Sequence, residues 1–189
     1  MENNEIGVVG FWGKNSQHLL DECQENFAKR EIALRCHNIS GHVFNAIFDF
    51  TGLDFIIMNA GLILQSLVSN GLYDFLKLQI TMLWGILRKP EKNNSTTPFF
   101  IKVGNVPTPS GDKNISFRFS GELTDEQKTL VIEKSFETIQ KISEGSMHLM
   151  ALTRFHEAFS SGNLLNIDPK TLEVSEVDIE AEIRKKFQK

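Results

Sequence analysis

Apolar residues recur along this chain with two periods, and the switches between them mark out its elements. Ile6 and Val8 alternate with Val9 and Phe11 in a run bounded by Gly10 and Gly13, which predicts a short, buried first strand. Leu19, Leu20, Cys23 and Phe27 then fall at helical spacing behind a cap at Asn15 or Ser16. Asp21, Glu22, Glu25 and Lys29 lie off that stripe, so a half-buried helix is expected over 16–29. From Glu31 to Phe50 two alternating arms flank the turn-forming Asn38-Ile39-Ser40-Gly41, the pattern of a hairpin. Ile32, Leu34 and Cys36 share one face of the first arm, and Phe44, Ala46, Phe48 and Phe50 share one face of the second.

Residues 52–88 are the most apolar stretch, and Ser69-Asn70-Gly71 divides them into two expected helices, 52–69 and 72–88. Asn59, Gln65, Ser66 and Ser69 are too sparse to form a polar face on the first, which reads as a central, largely buried helix. In the second, Leu72, Phe75, Leu76, Leu83, Ile86 and Leu87 form the core stripe. Asp74, Lys77, Thr81 and Arg88 turn outward, and Pro90 prevents continuation. The polar run 89–97 is a surface loop.

The clearest strand pattern follows: Phe99, Ile101 and Val103, then Ile115, Phe117 and Phe119, each alternating with more polar or outward positions. Thr124 and Gln127 have capping-box spacing ahead of Val131, Phe136, Ile139 and Ile142, a helix ending near Gly145. Residues 146–160 fit helix and strand about equally, with helix preferred. Leu164–Ile167 and Leu172–Val174 form a small hairpin around Asp168-Pro169, and Asp178 caps a last helix. The sum is a single α+β domain over 1–189. Its antiparallel or mixed sheet has about five to seven strands, with helices mostly on one face and the two apolar helices central.

Composition changes this picture little. A 189-residue chain with 41% apolar and 23% charged residues buries an ordinary core. The net charge of −4, with both signs mixed, argues against nucleic-acid binding, which needs clustered cations. The start Met-Glu-Asn-Asn-Glu lacks the features of a secretory leader, and Cys23 and Cys36 have neither CxxC nor zinc-ligand spacing, so a cytoplasmic setting is the expectation. Polar residues interrupt 55–73 too often for a stable membrane span, which leaves peripheral membrane association through 52–88 as a minor alternative.

Candidate chemistry is thin. Gly10, Gly13 and Lys14 sit between a strand and a helix, where backbone N–H groups can cradle a phosphate. The loop nevertheless has Val8 where a Walker A motif needs Gly and Asn15 where it needs Ser or Thr. His37 and His42 flank the expected hairpin turn but want a third metal ligand, and His148 and His156 would not converge on a helix. Asp49, in an apolar run, is the first carboxylate to consider for acid/base work. Phe99, Phe100, Phe117 and Phe119 could stack on bases, but their alternation suits core packing better. No nucleophile motif is found, and no cofactor or metal is implied. The reading with most support is a non-catalytic protein-interaction or regulatory domain, acting on a protein partner or self-associating. The alternative is a small enzyme or ligand-binding domain at the Gly-rich turn.

Overall fold

The computed structural model describes residues 5–10, 16–38, 53–86, 99–119, 123–149 and 162–178. In chain order these form β1 (Glu5–Gly10), α1 (Gln17–Ala28), β2 (Ala33–Asn38), β3 (Leu53–Ile57), α2 (Gly61–Val68), α3 (Asn70–Ile86), β4 (Phe99–Val106), β5 (Lys113–Phe119), α4 (Asp125–Ser143), β6 (Gly162–Ile167) and β7 (Val174–Glu176). The fold is α+β, as the alternation of periods implies. One seven-stranded mixed sheet runs in the order β2-β1-β3-β4-β5-β6-β7. Parallel pairs (β1/β2, β3/β4, β5/β6) alternate with antiparallel ones (β1/β3, β4/β5, β6/β7) across it.

Register places the apolar side chains of successive strands in rows on one face. Leu34, Ile6, Ile57, Val103 and Ile115 form one such row, and Cys36, Val8, Phe55, Ile101, Phe117 and Leu165 the next. Nearly all of these are fully buried. The described helices cover this face as a single layer. Phe27 of α1 meets Phe75 of α3 edge-on at 5.1 Å, Tyr73 of α3 meets Phe136 of α4 at 6.0 Å, and Trp84 stacks on Phe99 of β4 at 4.0 Å. Phe99, Phe117 and Phe119 are thus core residues, not a stacking platform.

With the helices on one face, the three parallel crossovers cannot share one hand. β5 runs in the same direction as β1, yet its crossover steps toward the opposite edge of the sheet. Right-handed crossovers dominate because strand twist favours them, so at least one connection here has the rare hand.

Two expectations are corrected. The segment 52–69 is not one helix: its first part, 53–57, is strand β3, and helix α2 begins only at Gly61. Leu53, Phe55 and Ile57 alternate with Asp54 and Ile56, a period-two signal that the surrounding apolar run obscures. Asp54 shows which period prevails: on the sheet's outer face it pairs with Lys102 at 2.7 Å, across the β3/β4 register. Asn59 then closes the turn by accepting the Gly61 N–H at 2.8 Å. The expected hairpin over 31–50 is corrected on its first arm, because β2 pairs with β1 in parallel and β1 separates it from β3. The second arm, the loop 89–97 and the last helix lie outside the described residues. So does most of 146–160, of which Ser146–Leu149 is turn and irregular.

The other elements follow the sequence. α4 opens with both bonds of the capping box, Thr124 Oγ1 accepting from Gln127 N–H and Gln127 Oε1 accepting from Thr124 N–H. The β6/β7 turn is held by Asp168 Oδ1, which accepts from the N–H groups of Lys170 and Thr171. Those bonds pull the Asp168 carboxyl below its ordinary pKa. A bulge in β4 between Val103 and Val106 puts Asn105 at φ 53° and brings Gly104 so close to β3 that a Cβ there would lie 2.7 Å from Met58 O.

Two helices end in the same motif with different residues. In α1 the Ile32 N–H reaches Phe27 O and the Glu31 N–H reaches Ala28 O, with Glu31 at φ 58°. In α4 the Ser146 N–H reaches Lys141 O and the Gly145 N–H reaches Ile142 O, with Gly145 at φ 73°. Both are Schellman caps, and only the second uses the residue that adopts this conformation without strain. Replacing Glu31→Gly should therefore stabilise the protein by about 0.5–1 kcal/mol. Gly145→Ala should destabilise it by about 1–2 kcal/mol, since it adds backbone strain. A Cβ there also meets Pro109 Cγ at 2.9 Å. Urea unfolding of the two variants checks both signs.

Candidate functional site

Of the residues singled out for chemistry, Gly13, Lys14, His42 and Asp49 lie outside the described residues. Gly10 and His37 sit on neighbouring strand ends, Gly10 opposite Asn38 and His37 opposite Val9. Strand alternation sends the His37 ring to the outer face, away from the face that carries α1 and the core residues Leu34 and Cys36. His148 is exposed in the turn after α4. Among the described residues no group of three or more His, Cys, Asp or Glu side chains is placed to hold a metal ion.

Cys23 on α1 and Cys36 on β2 face the core, and burial pushes both thiols from an ordinary pKa of 9.0 up to about 11. The neighbouring Cys36 adds to the shift of Cys23, and Asp21 adds to that of Cys36. A thiol is a nucleophile only as thiolate, so these are packing groups at neutral pH. Between α3 and α4, Lys77 Nζ donates to Glu133 Oε1 at 2.6 Å and lies 5.2 Å from the Tyr73 ring centre. That hydrogen bond raises the Lys77 pKa, while burial and then Glu133 raise that of Tyr73. Each partner of this cluster has its charge answered locally, which makes it a clasp between two helices.

A different arrangement lies between α1 and α3. The C-terminal turn of α1, closed by the Schellman cap, presents Asn26, Lys29 and Arg30 along one wall of an open groove. Phe75 and Gln79 of α3 complete a volume of about 590 Å³. The Arg30 guanidinium lies over the Phe75 ring at 4.5 Å, and the Phe75 ring is itself fixed by its edge contact with Phe27. Lys29 and Arg30 are exposed, and neither makes an ion pair among the described residues. Their position suits the negative end of the α1 dipole, which accounts for cations here but not for what lies beneath them.

Gln79 forms the floor. It occupies the core stripe of α3 with Leu76, Ile80 and Leu83, and only 3% of it is exposed. Its Nε2 makes a long contact of 3.9 Å with Met82 Sδ, while its Oε1 has no hydrogen-bond partner among the described residues. Exchanging the amide's oxygen and nitrogen would only point an acceptor at the sulfur and orphan the donor instead. A buried carbonyl without a donor costs about 1–3 kcal/mol. Gln79 lines the groove, so this unmet acceptor belongs to a residue of its wall, and the broad last torsion of a Gln side chain lets the amide reorient at low cost.

Sequence reasoning passed over this site. Lys29 reads only as a polar residue off the apolar stripe of its helix, and Gln79 is assigned to neither face of its own. The available signal was a carboxamide falling three residues after Leu76 and four before Leu83, inside the core stripe rather than beside it.

Two outcomes test this description. Gln79→Met, close in volume and apolar, should raise the unfolding free energy by about 1–2 kcal/mol in urea titrations, because it removes the orphaned acceptor. The thiols remain protonated in the folded chain up to about pH 11 and ionise above about pH 9.0 once unfolded. Their contribution to stability is thus intact below pH 9 and lost as pH rises from there through 11, and Cys23→Ala with Cys36→Ala should flatten that fall. At pH 8 the folded protein should react with iodoacetamide about a hundredfold more slowly than the urea-unfolded chain.

Comparison with family models, with curated proteins and with solved structures found no match to this chain.

Proposed function

We propose that this chain is a non-catalytic protein-interaction module and that a segment of a partner protein docks in the groove between α1 and α3. One observation carries the reading: among the described residues, the buried Gln79 oxygen lacks a donor in a groove whose rim holds two cations without an ion-pair partner. An unmet acceptor, two cations and a carboxamide gathered around one aromatic ring supply the placed polar groups and the apolar contact that recognition uses. The groove is open and lies between residues of two helices, a setting in which a peptide segment can dock. The residues that line it, Asn26, Lys29, Arg30, Phe75 and Gln79, suit recognition, and the reading assigns it that role. Docking of a partner's segment also fits a regulatory role, with occupancy as the signal.

Co-purification with matched variants tests this. A partner recovered with the wild-type chain should be lost with Lys29→Glu combined with Arg30→Glu, while the melting temperature stays within about 2 °C, since both residues are exposed. Recovery of the same partners by the charge-reversed chain removes the groove from the account. Concentration-dependent sedimentation of the wild type, abolished by the same pair, would identify a second copy of this chain as the partner.

A further inference from the structure

We infer that the groove takes an acidic peptide segment, with a side-chain carboxylate between Lys29 and Arg30 and a backbone N–H donating to Gln79 Oε1; this rests on the interaction reading above. The chain as a whole carries a net charge of −4, yet these two cations have no ion-pair partner among the described residues. Any anion entering here therefore meets unspent positive charge. The Arg30 guanidinium sits over the Phe75 ring at 4.5 Å, a contact that restrains the side chain, and guanidinium N–H donors suit a carboxylate.

Gln79 then separates one class of anion from another. Its unmet need among the described residues is for a donor, because Oε1 accepts and Nε2 already faces Met82. A bare anion such as phosphate offers acceptors almost alone and would leave that oxygen facing another oxygen. A peptide supplies both partners at fixed spacing, carboxylates on its side chains and an N–H at each residue except proline. Phe75, half-buried beside Arg30, offers apolar contact for the stem of a Glu or a neighbouring aliphatic side chain. Asn26 on the wall can give or accept a further backbone bond. A nucleic acid is disfavoured, because phosphate tracking needs a row of cations and the groove has two.

The test is selection of the whole chain against a displayed library of random twelve-residue peptides, followed by fluorescence anisotropy on the enriched sequences. Support is enrichment of Asp and Glu, with affinity falling about tenfold or more for Lys29→Glu with Arg30→Glu. Affinity should also fall for Gln79→Met, stay unchanged for the distant Lys170→Glu, and weaken as salt is raised. Enriched peptides without carboxylates whose binding still depends on Gln79 would overturn the acidic assignment and leave the interaction groove standing. Enrichment indifferent to every groove substitution, or none at all, overturns both readings. Thermal stabilisation by inorganic phosphate alone, equal in wild type and Gln79→Met, would instead make this a simple anion site and overturn the peptide assignment.

Discussion

One side of a seven-stranded sheet has to stay dry, and because side chains alternate along a strand, that requirement fixes register everywhere. The row through Cys36, Val8, Phe55, Ile101, Phe117 and Leu165 shows how narrow the tolerance is. A one-residue slip of β3 would put Asp54 and Ile56 into the core, expose Phe55 and break the Asp54–Lys102 pair. The outer face carries matching marks of register in the Glu5–Arg35 pair at 2.9 Å and in that 2.7 Å contact. Such half-exposed pairs add little energy, but they penalise the wrong alignment. The bulge at Asn105 pins the β4/β5 ladder at its other end, its side chain donating to Met58 O beyond β3.

A single dry face admits a single layer of helices, and α3 is the member that ties the layer together. It meets α1 through Phe75 and Phe27, α4 through Tyr73 and Phe136 and through Lys77 and Glu133, and the sheet through Trp84 on Phe99. With so many faces engaged, α3 leaves little room for polar side chains, and Gln79 stands out among Leu76, Ile80 and Leu83. The groove forms where α1 ends and α3 continues, which is why the Schellman turn at Glu31 matters to it: that turn stops α1 at the height where Lys29 and Arg30 overhang Phe75.

Much of the architecture was legible in the sequence. The β4/β5 hairpin, the capped α4, the Asp168 turn and the helix over 16–29 all carry local signals, because each is decided by residues close to one another. What eluded the sequence was decided at a distance. Leu53–Ile57 reads as part of an apolar helix until β1 and β4 are on either side of it, and β2 reads as one arm of a hairpin until β1 claims its backbone in parallel. The groove is a harder case. Lys29 and Gln79 are separated by three elements, β2, β3 and α2, and share a site only through packing of α1 on α3, and no linear spacing encodes that meeting.

The contrast between the buried thiols and Gln79 is what favours the groove as the place of the proposed recognition. A buried cysteine escapes the cost of charge by keeping its proton, and both thiols here do so, with pKa values of about 11. A carboxamide has no such escape. Its oxygen remains an acceptor at every pH, so the cost of burying it persists until a donor arrives. Supplying that donor returns about 1–3 kcal/mol, equivalent to roughly a five- to 150-fold advantage for a ligand that carries an N–H over one that does not. In the proposed mode of binding, Lys29 and Arg30 attract an anion and Gln79 distinguishes one kind from another. Selectivity should therefore follow Gln79 while attraction follows the rim, and the two can be separated by substitution because they sit on different helices.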